Sequence, residues 1–237
     1  MTTIVSKLAH VHSRIAQACA RAARDVASVQ LLAVSKTFGA DAVRQAAAAG
    51  QRAFGENYVQ EALDKMAQLR DLADLADLQW HCIGPLQSNK TRAVAEHFDW
   101  VHSVDRLKIA QRLSEQRPAH LPPLQVCLQI NVDGGANKAG AAPEDALALA
   151  QAVALLPRLQ LRGLMSIPEP AIEYEAQYAL HMRSRAVFDQ IKAAAASGAV
   201  GLERFDTLSL GMTADLDAAI AAGSTIVRVG TGIFGGR

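Results

Sequence analysis

The sequence lacks an excess of charge of either sign. Its 237 residues include 24 Lys and Arg against 23 Asp and Glu, which gives a formal net charge of +1 and a pI of about 7.8. A domain that binds nucleic acid mainly by electrostatics carries a clear basic excess. An anionic membrane surface likewise attracts clusters of positive charge. We therefore expect neither nucleic acid nor a membrane surface as a partner.

Long apolar runs are also missing. None approaches the ~18 residues needed to span a bilayer, and the first residues lack the apolar stretch of a secretory signal. This start contains arginine and few acids, which leaves a transit peptide as an alternative. The apolar residues recur, however, at helical spacing: Ile4, Leu8, Val11, Ile15, Ala18, Ala22 and Val26. We expect a cytoplasmic globular protein whose first helix packs one face on the domain.

Cysteine is scarce. Cys19, Cys82 and Cys127 are odd in number and form no CxxC or Cys/His pair at metal-ligand spacing. A disulfide framework and a structural zinc site are therefore not expected, and we predict no metal. Cys82 and Cys127 lie in predicted strands, where small core residues are a better interpretation than nucleophiles.

Short apolar runs alternate along the chain with longer stretches of helical period. The predicted strands are LLAVSK (31–36), RAFGEN (52–57), QWHCIG (79–84), WVHSVD (100–105), LQVCLQINV (124–132), LQLRGLMSIP (159–168), TLSLGM (207–212) and TIVRVG (225–230). Helices are predicted near 40–49, 58–70, 88–97, 106–116, 143–156, 173–196 and 213–222. Gly50, Gly198 and Gly223 lie where helices commonly end.

This alternation predicts parallel strands joined by helical crossovers, hence an α/β fold. Eight units without a Pro/Gly/Ser-rich linker predict that residues 1–237 form a single domain, a (β/α)8 TIM barrel preceded by an extra N-terminal helix. A doubly wound open sheet is the alternative. It would have a Gly-rich fingerprint after the first strand, whereas LLAVSKTFGAD has only one glycine.

Polar residues cluster where the predicted strands end. Active sites of TIM barrels lie at these ends, although Asn, Ser and Gly also serve ordinary turns. The polar strand ends are Ser35-Lys36, Glu56-Asn57, Gly84 to Lys90, His102 to Asp105, Asn131, Ser166, Ser209 to Thr213 and Gly230 to Gly232. Their joint occurrence predicts a functional site at the mouth of the barrel.

The loops after the seventh and eighth strands are candidates for a phosphate site. TIM barrels frequently bind phosphate there with backbone N–H groups and a helix N-terminus. The candidate residues are Ser209, Gly211, Gly230, Thr231 and Gly232. Thr213 is a candidate cap for the helix that follows. Alternatively, the glycines only close the barrel.

Lys36 ends an otherwise apolar strand, so its long side chain would extend over the barrel mouth. A strand-end lysine most often only reaches solvent. In apolar surroundings, however, a lysine can lose its proton and form a Schiff base with a carbonyl compound. Together with a phosphate site this indicates either pyridoxal phosphate (PLP) or a phosphorylated sugar bound by a Schiff-base aldolase. A third possibility is another phosphate ligand, with Lys36 as a simple ion-pair donor.

Arg228 is the only charge in the apolar strand TIVRVG, and it needs partners if it points inward. One interpretation is structural, with an ion pair or hydrogen bonds to carbonyl groups. In the other, its guanidinium contacts the pyridine nitrogen of PLP. Because arginine keeps its proton, that nitrogen would stay unprotonated and the ring would be a poor electron sink.

Ordered motifs over nearly the whole chain resemble the pyridoxal phosphate homeostasis protein family. They are AVSKT (33–37), FGENYVQE (54–61), WHCIGPLQSNK (80–90), HSVD (102–105), QINV (129–132), NKAG (137–140), RGLMSIP (162–168), SLGMTAD (209–215) and VRVGTGIFGGR (227–237). The resemblance implies a barrel similar to the N-terminal domain of alanine racemase. It also implies that Lys36 holds PLP as a Schiff base.

Further site residues are carried over by the same resemblance. It implies phosphate binding by Ser209, Gly211, Gly230 and Thr231. Arg228 would lie at the pyridine nitrogen and Asn57 would line the cofactor pocket. Lys138 matches a family lysine connected with a secondary cofactor contact, and whether Lys138 or Lys90 binds a second PLP is left open.

We expect a non-catalytic PLP carrier rather than an enzyme. A racemase of this class needs two bases, commonly the lysine and a tyrosine from a second domain, and we expect no such domain after Arg237. Tyr58 is the tyrosine nearest the mouth, and His81 and His102 are alternative proton carriers. The expected partners are PLP and PLP-dependent apo-enzymes, and we expect a monomer. A weak racemase and an aldolase remain alternatives.

Overall fold

The computed structural model describes residues 3–70, 75–134 and 139–236. Within them, eight parallel strands form one closed barrel in chain order, β1 to β8. The strands are Gln30–Val34 (β1), Ala53–Glu56 (β2), Gln79–Cys82 (β3), Trp100–Val104 (β4), Leu124–Gln129 (β5), Leu159–Met165 (β6), Thr207–Ser209 (β7) and Ile226–Val229 (β8). The barrel closes because β8 pairs with β1, with Gln30 opposite Ile226.

The strands are covered by helices, as parallel sheets require. The helices are Ile4–Arg21 (α1), Ala40–Ala48 (α2), Val59–Leu69 (α3), Thr91–His97 (α4), Leu107–Gln116 (α5), Ala146–Ala154 (α6), Tyr174–Ala196 (α7), Leu216–Ala221 (α8) and Thr231–Phe234 (α9). Across the described ranges, none of them is both long enough and apolar enough to cross a bilayer. The predicted (β/α)8 barrel is thus confirmed, and the open-sheet alternative is wrong.

The strands are shorter than the apolar runs that predicted them. The first was predicted to reach Lys36 but ends at Val34, because the chain turns there and Phe38 N donates to Ser35 O at 3.1 Å. This places Lys36 in a loop rather than on the sheet. The sequence also gave no sign of α9, since four residues are too few for a helical period.

Helix α1 packs on the barrel beside α8 and α9, which confirms the predicted extra helix. Its buried face contains Leu8, Val11 and Ile15. The extension of this helical pattern to Val26 is wrong. The helix ends at Arg21 because Ala23 is left-handed (φ 49°) and Arg24 N donates back to Cys19 O at 2.9 Å.

Candidate functional site

A cavity of about 310 Å³ opens at the carboxyl ends of the strands. It is lined by Val34, Lys36, Asn57, Ile83, Ile167, Met212, Thr213, Ala214, Arg228, Gly230 and Thr231. The structure thus brings together five of the seven predicted binding residues: Lys36, Asn57, Arg228, Gly230 and Thr231. Its size falls within the range of small-molecule sites.

Lys36 lies on the rim of this cavity and is exposed to solvent. It follows β1 in a tight turn in which Thr37 is left-handed (φ 68°). Apolar side chains of Val34 and Ile83 line the wall beside it. The amine is therefore accessible to a small molecule that enters from the mouth.

Arg228 lies at the floor of the cavity and is 3 % exposed. Its guanidinium donates to Ser209 O at 2.6 Å, to Ser209 Oγ at 2.9 Å and to Ser166 O at 2.9 Å. Burial lowers the pKa of Arg228 to about 10, so the group stays charged at neutral pH. Arg228 therefore makes the carbonyl hydrogen bonds of the structural interpretation, and it also lines the cavity.

Ser209 and Gly211 are not on the cavity wall, although both were predicted to bind phosphate. Ser209 ends β7 with its side chain inside the barrel, fully buried and bonded to Arg228. Gly211 is left-handed (φ 83°), and a Cβ there would lie 2.4 Å from Cβ of Ala219. Its hydrogen atom is what allows the loop after β7 to lie this close to α8.

A chain of hydrogen bonds leads from Arg228 into the barrel. His102 Nδ1 lies 3.0 Å from Ser209 Oγ, and His102 Nε2 lies 2.9 Å from His81 Nδ1. Arginine only donates, so Ser209 accepts from Arg228 and its own hydrogen is available to His102 Nδ1. His102 then donates from Nε2 to His81, which stacks on Trp100 at 5.3 Å.

Both imidazoles are held in their neutral form. Burial lowers the pKa of His81 to about 3 and lowers the pKa of His102 well below its usual value, with His81 and Arg228 adding to the latter shift. Both rings are fully buried. The sequence offered both only as alternative proton carriers, since a histidine in an apolar strand more often has a structural role, and neither lines the cavity.

The loop between β7 and α8 supplies cavity residues that were not among the seven predicted binding residues, although Thr213 was singled out as a helix cap. That cap is wrong, because α8 begins at Leu216 and the carboxylate of Asp215 accepts from Met212 N at 2.6 Å. Thr213 instead lines the cavity, and its hydroxyl accepts from Thr231 Oγ1 at 3.3 Å. Arg14 of α1 donates to Thr213 O at 2.6 Å and holds this loop in place.

Asn57 follows β2 and lines the cavity. Its Oδ1 atom is buried and has no hydrogen-bond partner among the described residues. The chain that follows β3 can lie close to Asn57 because residue 84 is glycine. A Cβ at this position would lie 2.4 Å from Asn57 O. A buried unpaired acceptor of this kind is available to a ligand.

An ion-pair cluster below Lys36 escaped the sequence analysis. Lys65 of α3 is 3 % exposed and donates to Glu56 Oε1, Glu61 Oε1 and Ser35 O, each at 2.7 Å. Burial raises the pKa of Glu56, while Lys65 and Ser35 oppose this shift. The only signal in the sequence was a lysine on the buried face of a helix.

A second cavity of about 380 Å³ adjoins the first and shares Asn57 with it. Tyr58 and Lys90 line this cavity, and Tyr58 is 58 % exposed. Lys138, the other candidate for a second PLP, lies outside the described residues.

The cysteines contribute no nucleophile to the cavity. Cys19, Cys82 and Cys127 are free and buried, and burial in the core was predicted for Cys82 and Cys127. Burial raises the pKa of Cys82 and of Cys127 to about 12, which keeps both thiols protonated. Within the described ranges, no three His, Cys, Asp or Glu side chains are grouped so that they could hold a metal ion.

Comparison with known proteins defines the class first. A family model described as "Alanine racemase, N-terminal domain" matches residues 7–237. A crystal structure of alanine racemase from Corynebacterium glutamicum shares this fold, with a TM-score of 0.66 and 19 % identity over 98 % of this chain and 62 % of the other. The chain therefore has the barrel of the alanine racemase N-terminal domain.

Closer relatives identify the family within this class. The chain is 60 % identical over its whole length to the pyridoxal phosphate homeostasis protein of Pseudomonas aeruginosa, of which it covers 97 %, and 51 % identical to that of Escherichia coli K12, of which it covers 98 %. The structure of PipY from Synechococcus elongatus PCC7942 with PLP bound has a TM-score of 0.84 and 39 % identity, over 98 % of this chain and 100 % of PipY. The chain belongs to the family of pyridoxal phosphate homeostasis proteins, and the predicted resemblance is confirmed.

Proposed function

We propose that this chain is a PLP-binding protein that takes part in PLP homeostasis, with residues 1–237 as one binding domain. The observation that carries the proposal is the grouping of one exposed amine, Lys36, and one buried guanidinium, Arg228, around a single cavity. The relatives named above bear this functional name, and the similar PipY structure contains PLP.

The residues present fit this cofactor. PLP has an aldehyde, a pyridine nitrogen and a phosphate. The cavity offers a matching group for each of them: an amine, a donating guanidinium and hydroxyl groups. Lys36 would hold the aldehyde end and Arg228 would donate to the ring nitrogen. The phosphate would be held by the hydroxyl groups of Thr213 and Thr231. Gly230 and Thr231 also lie at the start of α9, where the first N–H groups have no intrahelical acceptor.

Asn57 completes this arrangement at the cofactor ring. Its buried Oδ1 has no partner among the described side chains and main chain, and a ligand in the cavity would supply one. When bound, PLP supplies an aldehyde that condenses reversibly with amines and a ring that can accept electrons. Reversible condensation at an accessible lysine is the chemistry that storage and transfer require.

A carrier role, rather than catalysis, is supported by the environment of the ring. Arg228 cannot give its proton to the pyridine nitrogen, which leaves the ring a poor electron sink. Tyr58 is largely exposed, and His81 and His102 are buried away from the cavity. A second base opposite Lys36 is therefore not supplied by these three candidates.

We also propose recipients, an oligomeric state and a location for this protein. The recipients of the cofactor are PLP-dependent apo-enzymes, the protein is a monomer, and it acts in the cytoplasm. The exposed position of Lys36 supports exchange with other proteins, because an incoming amine can reach the adduct from the mouth.

The test is the visible spectrum of the purified protein with added PLP, followed by borohydride reduction and peptide mass mapping. We expect a new absorption band and a reduced adduct on Lys36. Lys36→Ala should lose both, whereas Lys90→Ala should keep both. The same map reports any adduct on Lys90 or Lys138.

Three outcomes would overturn the proposal. No band, or label spread over surface lysines, would leave a phosphate-binding barrel without this cofactor. Exchange of an amino acid's α-proton for solvent deuterium would mean that the protein is a racemase rather than a carrier. Turnover of a sugar phosphate would indicate an aldolase.

A further inference from the structure

Lys36 lies between Ser35 and Thr37, and the backbone of each forms a hydrogen bond with a cluster of charged side chains. We define the Lys65 cluster as Glu56, Glu61 and Lys65. On one side, Lys65 Nζ donates to Ser35 O at 2.7 Å. On the other side, Thr37 N donates to Glu61 Oε1 at 2.5 Å. Lys65 also pairs with Glu61 at 2.7 Å. The Lys65–Glu61 ion pair therefore links both ends of the turn that carries Lys36.

The turn itself has an unfavourable conformation. Thr37 has φ 68°, a left-handed backbone that a β-branched residue rarely adopts. Such a conformation persists only where surrounding contacts impose it. The hydrogen bond from Thr37 N to Glu61 is the contact that acts directly on this residue.

The cluster is an unusual way to support a loop, because it buries charge. Glu56 and Lys65 are 1 % and 3 % exposed, and Glu56 Oε2 has no partner among the described residues. A buried ion pair is often replaceable by apolar residues without loss of stability. Its hydrogen bonds reach the backbone on both sides of Lys36, at Ser35 O and Thr37 N.

We propose that Lys65 and Glu61 are positioning residues that fix the direction in which Lys36 enters the cavity. Neither side chain lines that cavity; they act through the backbone on either side of Lys36. This inference rests on the proposed role of Lys36 as the PLP-binding lysine. Without the cluster, Thr37 relaxes to an ordinary conformation and the amine is no longer held over the site.

Glu61 offers the sharper test, because its side chain is 31 % exposed and its loss leaves Lys65 paired with Glu56. We compare Glu61→Ala with Glu61→Gln, which keeps an oxygen to accept from Thr37 N. The readout is the rate of borohydride-trapped adduct on Lys36 after mixing with PLP. We expect Glu61→Ala to slow this rate about tenfold, the effect of losing a hydrogen bond to a charged group. Glu61→Gln should stay within about threefold of the unmodified chain.

A rescue experiment separates positioning from general damage. Glycine adopts a left-handed backbone without strain, so Thr37→Gly no longer depends on Glu61. Adding Thr37→Gly to Glu61→Ala should therefore recover most of the lost rate. Lys65→Met should slow the reaction at least as much as Glu61→Ala, and circular dichroism establishes whether it folds.

A second readout needs no cofactor. In the free protein, hydrogen exchange of the Thr37 amide, followed by NMR, should be faster in Glu61→Ala than in Glu61→Gln. Equal adduct rates and equal exchange in folded Glu61→Ala and the unmodified chain would overturn the inference. Failure of the unmodified chain to form any adduct on Lys36 would instead overturn the proposed function.

Discussion

Arg228 Nη1 contacts Ser209 twice, donating to its carbonyl oxygen at 2.6 Å and to its side-chain oxygen at 2.9 Å. Ser209 is in turn 3.0 Å from His102 Nδ1. The serine that the motif SLGMTAD marks as a phosphate ligand is thus a neighbour of the guanidinium. We infer that Ser209 supports Arg228, and that its effect on PLP binding passes through the ring nitrogen.

Removing the hydroxyl of Ser209 tests this relationship. Ser209→Ala takes away an acceptor of Arg228, and a hydrogen bond to a charged group contributes about 1.5–3 kcal/mol. We expect affinity to fall about tenfold, by the same factor for PLP and for pyridoxal, which lacks the phosphate. Titration of the absorption change measures both constants.

The matched control is Ser114→Ala, which removes another buried serine hydroxyl, bonded to Pro157 O at 2.5 Å on the helical layer. It should leave both affinities unchanged. A loss confined to PLP in Ser209→Ala would show that the serine contacts phosphate, as the motif implies.

Thr231 is the hydroxyl expected to act on the phosphate. Thr231→Val should weaken PLP binding about fivefold, since a neutral hydrogen bond contributes about 1 kcal/mol, and should leave pyridoxal binding unchanged. Thr231→Ser keeps the hydroxyl and should behave like the unmodified chain. The titration with both ligands distinguishes these cases, and an equal loss for both would contradict a phosphate role.

Gly211 is predicted to matter for packing. Gly211→Ala introduces a Cβ 2.4 Å from Cβ of Ala219 on a left-handed backbone. Left-handed strain of about 1–2 kcal/mol and overpacking of about 1–3 kcal/mol should lower the free energy of unfolding, measured by urea denaturation. Gly236→Ala, where a Cβ would meet nothing within 4 Å, is the control. Normal unfolding with lost PLP affinity would assign Gly211 to the ligand.

Stability should fall at mildly acidic pH because of His81. Burial lowers the pKa of His81 to about 3 in the folded protein, whereas an unfolded histidine titrates near 6.5. Between these values the unfolded chain binds one more proton, so the free energy of unfolding falls as the pH is lowered. The slope from this residue is about 1.4 kcal/mol per pH unit.

The variant His81→Gln cannot bind this proton. Urea denaturation between about pH 5 and pH 6.5 should therefore give a smaller slope for His81→Gln than for the unmodified chain. His102 remains in the variant, and because burial also lowers its pKa, part of the slope should persist. Equal slopes would mean that His81 is not held neutral in the folded protein.

The local sequence pattern determined the fold class of this protein and the end of the barrel at which the site lies. Apolar runs of strand length alternated with stretches of helical period, and this alternation is sufficient to predict parallel strands and a barrel. Because all parallel strands end at one face, the polar strand ends also predicted the mouth. Lys36, Asn57, Arg228, Gly230 and Thr231 were found together there for this reason.

Only the tertiary structure decided which polar side chains face the cavity and which face one another. Ser209 and His102 are 107 residues apart in the chain, and Lys65 meets Ser35 across 30 residues. No local period encodes such pairs, because they depend on the register of neighbouring strands and on how a helix packs over them. The same packing places Gly211 against α8, whereas Thr213 lines the cavity.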